Sequence, residues 1–208
     1  MTPMDEPQLV LASASPRRAR ILRSLGLAHR VKPAAIREVA LPGELSHTQV
    51  ERLSLEKARD VLPRAGGVPV LAGDTVVTLD HQVLGKPGSP EEAVEVLMRL
   101  SGRTHRVASG LALLLPDGKE LSGVMETLVT FRHLSPGEAE AYVATGEPMD
   151  KAGGYGIQGL GATLVSAIQG DYSTVVGLPI PLLLRLLAEG GRPYTFPPTS
   201  HPVSEVTW

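Results

Sequence analysis

Arg17, Arg18, Lys57, Lys86 and Lys151 are distributed along the chain with the acids Glu38, Asp74 and Asp150. Such a mixture suits phosphate chemistry. Cations neutralise a polyphosphate, while carboxylates hold a divalent ion such as Mg²⁺ and orient or deprotonate the water that attacks phosphorus in line. Spacing along the chain does not by itself bring the groups together. Asp74 is the most pointed of them, because aliphatic and β-branched residues surround it from Val68 to Leu79. A carboxylate there is costly unless it is paired, hydrogen-bonded or bound to a cation, and Gly73 beside it admits the close approach of another group. The alternative is a strand bulge carrying a structural Asp.

The elements that would carry these residues can be read in order. The run Leu9-Val10-Leu11-Ala12 is a short strand, and Ser13-Ala14-Ser15-Pro16-Arg17-Arg18 turns it into a helix. Ser15 suits the N-cap, Pro16 suits the first helical position, and Gly26 ends the helix, with Leu22, Leu25 and Ala19 or Ile21 on its apolar face. That start offers free N–H groups, the positive end of the helix dipole, hydroxyls and two guanidinium groups, which is an anion site; the plainer reading is a capped helix with two solvated arginines. After Arg30-Val31-Lys32-Pro33 comes a loop with Glu38. A second helix follows, with Ser46 and Gln49 as a capping box and Val50, Leu53, Ala58, Val61 and Leu62 as its stripe, ended by Pro63 and Gly66-Gly67. Lys57 lies at the margin of that stripe, where a lysine stem packs while its ammonium reaches out.

Beyond the Asp74 strand, Asp80-His81 suits a hairpin turn into Val83-Leu84-Gly85-Lys86-Pro87. Ser89-Pro90-Glu91-Glu92 and Ser135-Pro136-Gly137-Glu138 each open a helix with a capping box, the first facing inward with Ala93, Val94, Leu97 and Leu100, the second with Ala139, Tyr142 and Val143. Between them, Thr104 to Leu115 and Val124 to Leu134 read as a hairpin around Pro116-Asp117-Gly118-Lys119. The glycine-rich segment Glu147 to Gly161 is a backbone-shaped loop; Ala162 to Ile168 is a strand and Tyr172 to Val176 its return. Gly177-Leu178-Pro179 opens a last, leucine-rich helix. This gives one domain, residues 1–191, and a proline-rich tail, residues 192–208, expected to be extended or disordered.

Composition closes off several functions. The 208 residues carry a net charge of −2 and no cysteine, which excludes disulfides, thiolate catalysis and cysteine-ligated metal. Spread basic residues and few aromatics argue against a nucleic-acid partner, and no run is long enough for a membrane span, so the cytoplasm is the expected compartment. Gly154-x-Gly156-x-x-Gly159 matches a dinucleotide fingerprint only formally, since no apolar strand precedes it and no helix follows. No phosphate loop or His-Glu-x-x-His zinc helix occurs, and the histidines are scattered.

Several blocks resemble, in order from about residue 9 to 188, the Maf-like nucleoside triphosphate pyrophosphatases: Leu11-Ala12-Ser13-x-Ser15-Pro16-Arg17-Arg18, Glu56-Lys57-Ala58, Ala72-Gly73-Asp74-Thr75-Val76-Val77, Leu84-Gly85-Lys86-Pro87, Leu100-Ser101-Gly102-Arg103-Thr104-His105, Glu147-Pro148-x-Asp150-Lys151-Ala152-Gly153-x-Tyr155-Gly156-Ile157-Gln158-Gly159 and Gly177-Leu178-Pro179. The resemblance implies an α/β fold, similar to inosine-triphosphatase-like enzymes, with a long mixed sheet, flanking helices and two lobes around a central cleft, commonly as a homodimer. It implies hydrolysis of a nucleoside triphosphate to monophosphate and pyrophosphate with a divalent cation, Mg²⁺ or Mn²⁺. By the same resemblance Asp74 is the proton acceptor, and Ser15, Arg18, Glu38, Lys57 and Lys86 handle phosphate or metal, with Glu38 and Asp74 as metal carboxylates. Arg17, Thr75 and Gln158 match positions of the branch that cleaves dTTP and UTP. A glutamine amide fits that choice, since it can accept from the pyrimidine N3–H and donate to an adjacent carbonyl, which cytosine would mispair. The rival readings are a nucleotide-binding regulator of cell division without turnover, and a house-cleaning enzyme for modified nucleotides.

Overall fold

Strand β1 (Leu9–Leu11) passes into helix α1 (Pro16–Ser24) through a turn that ends on Ser15. Ser15 is the extended N-cap and its hydroxyl accepts from the Arg18 amide at 3.4 Å, with Pro16 opening the helix as its missing N–H allows. The computed structural model describes residues 8–197, and among them no helix is long and apolar enough to cross a membrane.

Strand β2 (His29–Val31) pairs in parallel with β1, setting His29 beside Leu9 and Val31 beside Leu11. The sequence reading has no strand there, because three residues with two of them exposed carry no alternation to detect. Helix α2 (Ser46–Val61) spans the expected stretch but starts without the expected box. Leu45 is its N-cap, Ser46 lies inside the first turn, and Gln49 is buried. An ion pair holds this entrance instead: Arg52 Nε and Nη2 donate to the two Glu44 carboxylate oxygens at 2.7 and 2.6 Å, and Glu44 accepts from the Leu41 amide at 3.1 Å.

Strand β3 (Val70–Leu79) turns through Asp80 and His81, both with positive φ (49° and 67°), into antiparallel β4 (Gln82–Leu84). That left-handed pair is the geometry of a tight hairpin. Then come α3 (Pro90–Leu100), β5 (Thr104–Leu114), β6 (Glu120–Phe131), α4 (Pro136–Ala144), β7 (Val165–Gln169), α5 (Tyr172–Val176) and α6 (Ile180–Glu189). The full capping box expected at Ser135 and Glu138 is present, whereas at Ser89 only the hydroxyl caps, and the Glu92 carboxylate accepts from the Gly88 amide at 2.7 Å. Val96 rather than Val94 completes the buried face of α3. Strand β6 begins at Glu120, earlier than the expected Val124.

Tyr172–Val176 is the clearest departure: a helix where a returning strand is expected. Asp171 supplies the reason. Its carboxylate accepts from the Thr174 amide at 2.6 Å and from the Ser173 and Thr174 hydroxyls at 2.5 and 2.8 Å, a side-chain cap that outweighs the β preference of Thr and Val.

The strands form one seven-stranded mixed sheet in the order β2-β1-β3-β5-β6-β7, with β4 paired to β3. Helices flank it, as expected. The described residues divide into two compact units, the first made of residues 8–74, 109–124 and 177–197, the second of residues 75–108 and 125–176. In the first unit, Val10, Ala12, Val70, Ala72, Ala112 and Leu114 pack with Ala58 and Val61 of α2 as one fully buried cluster. Residues 192–197 have no regular secondary structure, and the Tyr194 hydroxyl donates to the Leu25 carbonyl at 2.9 Å. The rest of the expected tail lies outside the described residues.

Candidate active site

Period two along β3 decides where Asp74 points. Val70 and Ala72 face α2, so Asp74, next in phase, faces it too. On α2 the buried residues Leu53, Lys57 and Val61 follow one another at one-turn spacing, which carries Lys57 to the same face. The two charges meet there. Lys57 Nζ donates to Asp74 Oδ1 at 2.7 Å, and it also pairs with Glu38 Oε2 at 3.0 Å. The Lys57 and Asp74 side chains are only 8% and 10% exposed, whereas Glu38 is 55% exposed at the rim. Burial of this kind is tolerated because each charge meets its opposite. One ammonium is therefore shared by two carboxylates.

Backbone proximity sets up that meeting. A Cβ on Gly110 of β5 would lie 2.5 Å from the Val50 carbonyl oxygen, so the start of α2 rests directly on the strand and aims Lys57, two turns later, at the sheet. Glu38 comes from a loop, and Arg52 ties that loop down: Nη2 donates to the Val39 carbonyl at 3.0 Å while the same guanidinium holds Glu44 and, through Nη1, Glu56.

Arg18 is buried against the other side of β3. Its Nε donates to the Gly177 carbonyl at 2.7 Å and Nη1 to Ser13 Oγ at 2.9 Å; Ser13 Oγ also accepts from the Ser15 amide at 3.2 Å. A Cβ on Gly73 would stand 3.2 Å from Arg18 Nε, so this glycine is what lets the guanidinium lie on the strand. Burial pushes the Arg18 pKa down, Asp74 pushes it back up, Arg17 adds to the lowering and Glu38 opposes it. All three neighbouring charges thus bear on the Arg18 guanidinium. Half-buried Ser15 and Arg17 complete the first turn of α1.

The first unit thus gathers Ser15, Arg17, Arg18, Glu38, Lys57 and Asp74. Thr75, Lys86 and Gln158 belong to the second. Thr75 follows Asp74 along β3 and is half-buried; Lys86 is exposed two residues beyond β4; Gln158 is half-buried and precedes the 3₁₀ turn Gly159–Leu164. Lys151 donates to the Glu147 carbonyl and to Asp150 Oδ1 at 2.6 Å, so its charge is used in folding its own loop. Sequence reasoning did not find Arg52 or the Gly177 carbonyl, whose roles depend on partners far along the chain. It counted the Ser13 hydroxyl only as one more anion donor, whereas the structure makes it the acceptor that orients Arg18.

Among the described residues no group of three His, Asp or Glu could hold a metal ion by itself. The donor set nevertheless fits a hard divalent cation, which is commonly bound by one or two carboxylates and completed by water and substrate phosphate oxygens. Glu38 and Asp74, which converge on the Lys57 ammonium, are the two carboxylates that would take that part.

These contacts define an α/β protein with a buried lysine–carboxylate couple beside a capped, arginine-bearing helix start, an arrangement suited to phosphate esters and anhydrides. A model of the Maf-like protein family matches residues 8–190, and the chain belongs to that family. It is 51% identical over 182 residues to a protein of Moorella thermoacetica, covering 87% of this chain and 94% of that one. It is 48% identical over 186 residues to one of Symbiobacterium thermophilum (89% and 95% covered) and 47% identical over 189 residues to one of Caulobacter vibrioides (90% and 98%). All three are named dTTP/UTP pyrophosphatase. Among solved structures it is similar to the Ham1 protein of Staphylococcus aureus at 13% identity, covering 89% of this chain and 91% of that one with a TM-score of 0.46, too slight a likeness to bear on function.

Proposed function

We propose that this chain hydrolyses dTTP and UTP to the nucleoside monophosphate and pyrophosphate. The observation that carries the reading is the buried Lys57–Asp74 pair at 2.7 Å with Glu38 at its rim, in a member of a family whose curated relatives bear that activity in their names. Asp74 is the proton acceptor: it takes the proton of the attacking water as the new P–O bond forms and the P–O bond of the α–β anhydride breaks, its electron pair staying on the bridging oxygen, so that monophosphate and pyrophosphate separate. Lys57, donating to Asp74 Oδ1, fixes that carboxylate in place. Arg18, Ser15 and the positive end of the α1 dipole take phosphate oxygens, and Lys86 takes another. A divalent cation such as Mg²⁺ or Mn²⁺, held by Glu38 and Asp74, would supply charge neutralisation for the triphosphate. Arg17, Thr75 and Gln158 select the nucleotide, Gln158 by matching the N3–H and neighbouring carbonyl of uracil or thymine.

A panel of nucleoside triphosphates with Mg²⁺ or Mn²⁺, with pyrophosphate and orthophosphate measured separately, tests the reading. dTTP and UTP should lead and release pyrophosphate. Orthophosphate alone, or a preference for methylated GTP, would overturn it. Asp74→Asn should lose nearly all turnover while keeping its circular dichroism and melting behaviour; binding without any turnover in the wild type would instead favour a nucleotide-binding regulator.

A further inference from the structure

The Gln158 loop is organised by a carboxylate that none of the phosphate chemistry uses. Glu147 is half-buried at the foot of the loop, and its Oε1 accepts from the Gly161 amide at 3.0 Å and from the Tyr142 hydroxyl at 2.8 Å, while Oε2 accepts from the Leu160 amide at 3.2 Å. The Tyr142 oxygen in turn accepts from the Gly156 amide at 3.2 Å. One carboxylate and one buried phenol thus grip the loop on both sides of Gln158, at Gly156 before it and at Leu160 and Gly161 after it. A surface ion pair would not require this. Three donors converging on a single carboxylate are a charge-assisted clamp, stronger than neutral bonds and specific in direction.

Gln158 is half-buried between the two gripped ends. A glutamine amide has one acceptor and two N–H donors, so it can meet a base edge that carries an N–H beside a carbonyl.

We propose that Glu147, through its clamp on Gly156 to Gly161, is the positioning residue that sets Gln158 for recognition of an imide base edge, and so determines the preference for uracil and thymine nucleotides over cytosine nucleotides. The inference rests on the reading of Gln158 given above. Its substrate class is a pyrimidine triphosphate with a protonated N3 flanked by a carbonyl, which extends to 5-substituted uracils. Glu147 touches neither base nor phosphate in this account and acts only through the loop.

The experiment compares kcat and KM for UTP and CTP in the wild type, Glu147→Gln, Gln158→Ala and the double variant, with melting temperatures for each. Glu147→Gln keeps the shape of the side chain but sets an N–H against a backbone amide. The UTP-to-CTP ratio of kcat/KM should fall about tenfold in it, mostly through the KM for UTP, the scale of loss expected when base-edge hydrogen bonds are misaligned. Gln158→Ala should lower the ratio as far, and the double variant no further, since the two residues act as one unit. Should Glu147→Gln not fold, Tyr142→Phe cuts the same clamp at the phenol and should lower the ratio in the same direction. An unchanged ratio in the Glu147 or Tyr142 variant, beside a lowered one in Gln158→Ala, overturns this inference and leaves the Gln158 reading standing. An unchanged ratio in Gln158→Ala overturns both.

Discussion

Acid should destabilise this chain through His105. The imidazole is 2% exposed, its Nε2 shares a 2.7 Å hydrogen bond with the Tyr155 hydroxyl, and among the described residues its Nδ1 has no hydrogen-bond partner. The rings of Phe131 and Tyr155 stand edge-on to it, with centroids at 5.1 and 5.3 Å. Nothing in that surround stabilises an imidazolium, and burial pushes the pKa down from 6.5 to about 4. The unfolded chain therefore binds this proton before the folded one does. The stabilisation is whole above pH 6.5 and is lost as the pH falls from 6.5 towards 4, so stability rises with pH across that window. At about 1.4 kcal/mol for each pH unit, the loss reaches about 3 kcal/mol near pH 4. That is a large part of the ~5–15 kcal/mol that holds a typical domain.

Urea unfolding at a series of pH values is the assay, run on the wild type and on His105→Gln, whose amide can still bond the Tyr155 hydroxyl but does not titrate. Carboxylates elsewhere also give the curves an acid slope. Glu138, for example, is held at about 2 by its bonds to Ser135 and Arg132. Subtracting the variant removes those contributions and leaves His105. The wild-type minus variant difference should change by about 3 kcal/mol between neutral pH and pH 4, in the direction of a weaker wild type in acid. A difference independent of pH would refute the reasoning, since it would mean that His105 takes up its proton equally well in both states.

Two further outcomes follow from the site. Gly73→Ala would place a methyl group 2.9 Å from Leu111 Cδ2, 3.1 Å from the Gly110 carbonyl oxygen and 3.2 Å from Arg18 Nε. Overpacking of this kind costs about 1–3 kcal/mol, so the melting temperature should drop and turnover on every nucleotide should fall with the displaced Arg18; wild-type values for both would show that the contact is slack. Lys57→Met should cost about 3–5 kcal/mol by leaving Asp74 buried without its cation, and adding Asp74→Asn should restore most of that stability with no activity. If the double variant is no more stable than Lys57→Met, the Lys57–Asp74 bond is not what balances the buried charge.

How far the sequence reveals this molecule depends on whether a residue's partner is local. The helix starts at Ser15 and Ser135 were legible because cap, proline and N3 residue lie within four positions, and the structure shows their side-chain bonds. The α2 entrance was not, since its true anchor pairs Arg52 with Glu44 from outside the helix, and a nearby Ser-x-x-Gln imitates a box. Tyr172 to Val176 was misread as a strand from its β-branched residues. The deciding residue is Asp171, since an Asp before Ser and Thr is also a cap.

The centre of the site shows where pattern reasoning could go one step further. Asp74 is in phase with Val70 and Ala72, and Lys57 with Leu53 and Val61; each is a charge set into a buried apolar stripe. Either alone would be prohibitively costly to bury, and opposite charges in phase with the core remove that cost only by meeting each other. Two periodicities, 2 along the strand and 3.6 along the helix, thus set each of these charges on a buried face, and the structure supplies the pairing. Glu38 obeys no such rule. It is 55% exposed on an irregular loop, and its place beside Lys57 depends on Arg52 holding the next carbonyl along, Val39, at 3.0 Å. The buried half of the site is thus fixed by core packing and the exposed half by one guanidinium, which makes the Glu38 loop the part of this site that can change while the Lys57–Asp74 couple stays in place.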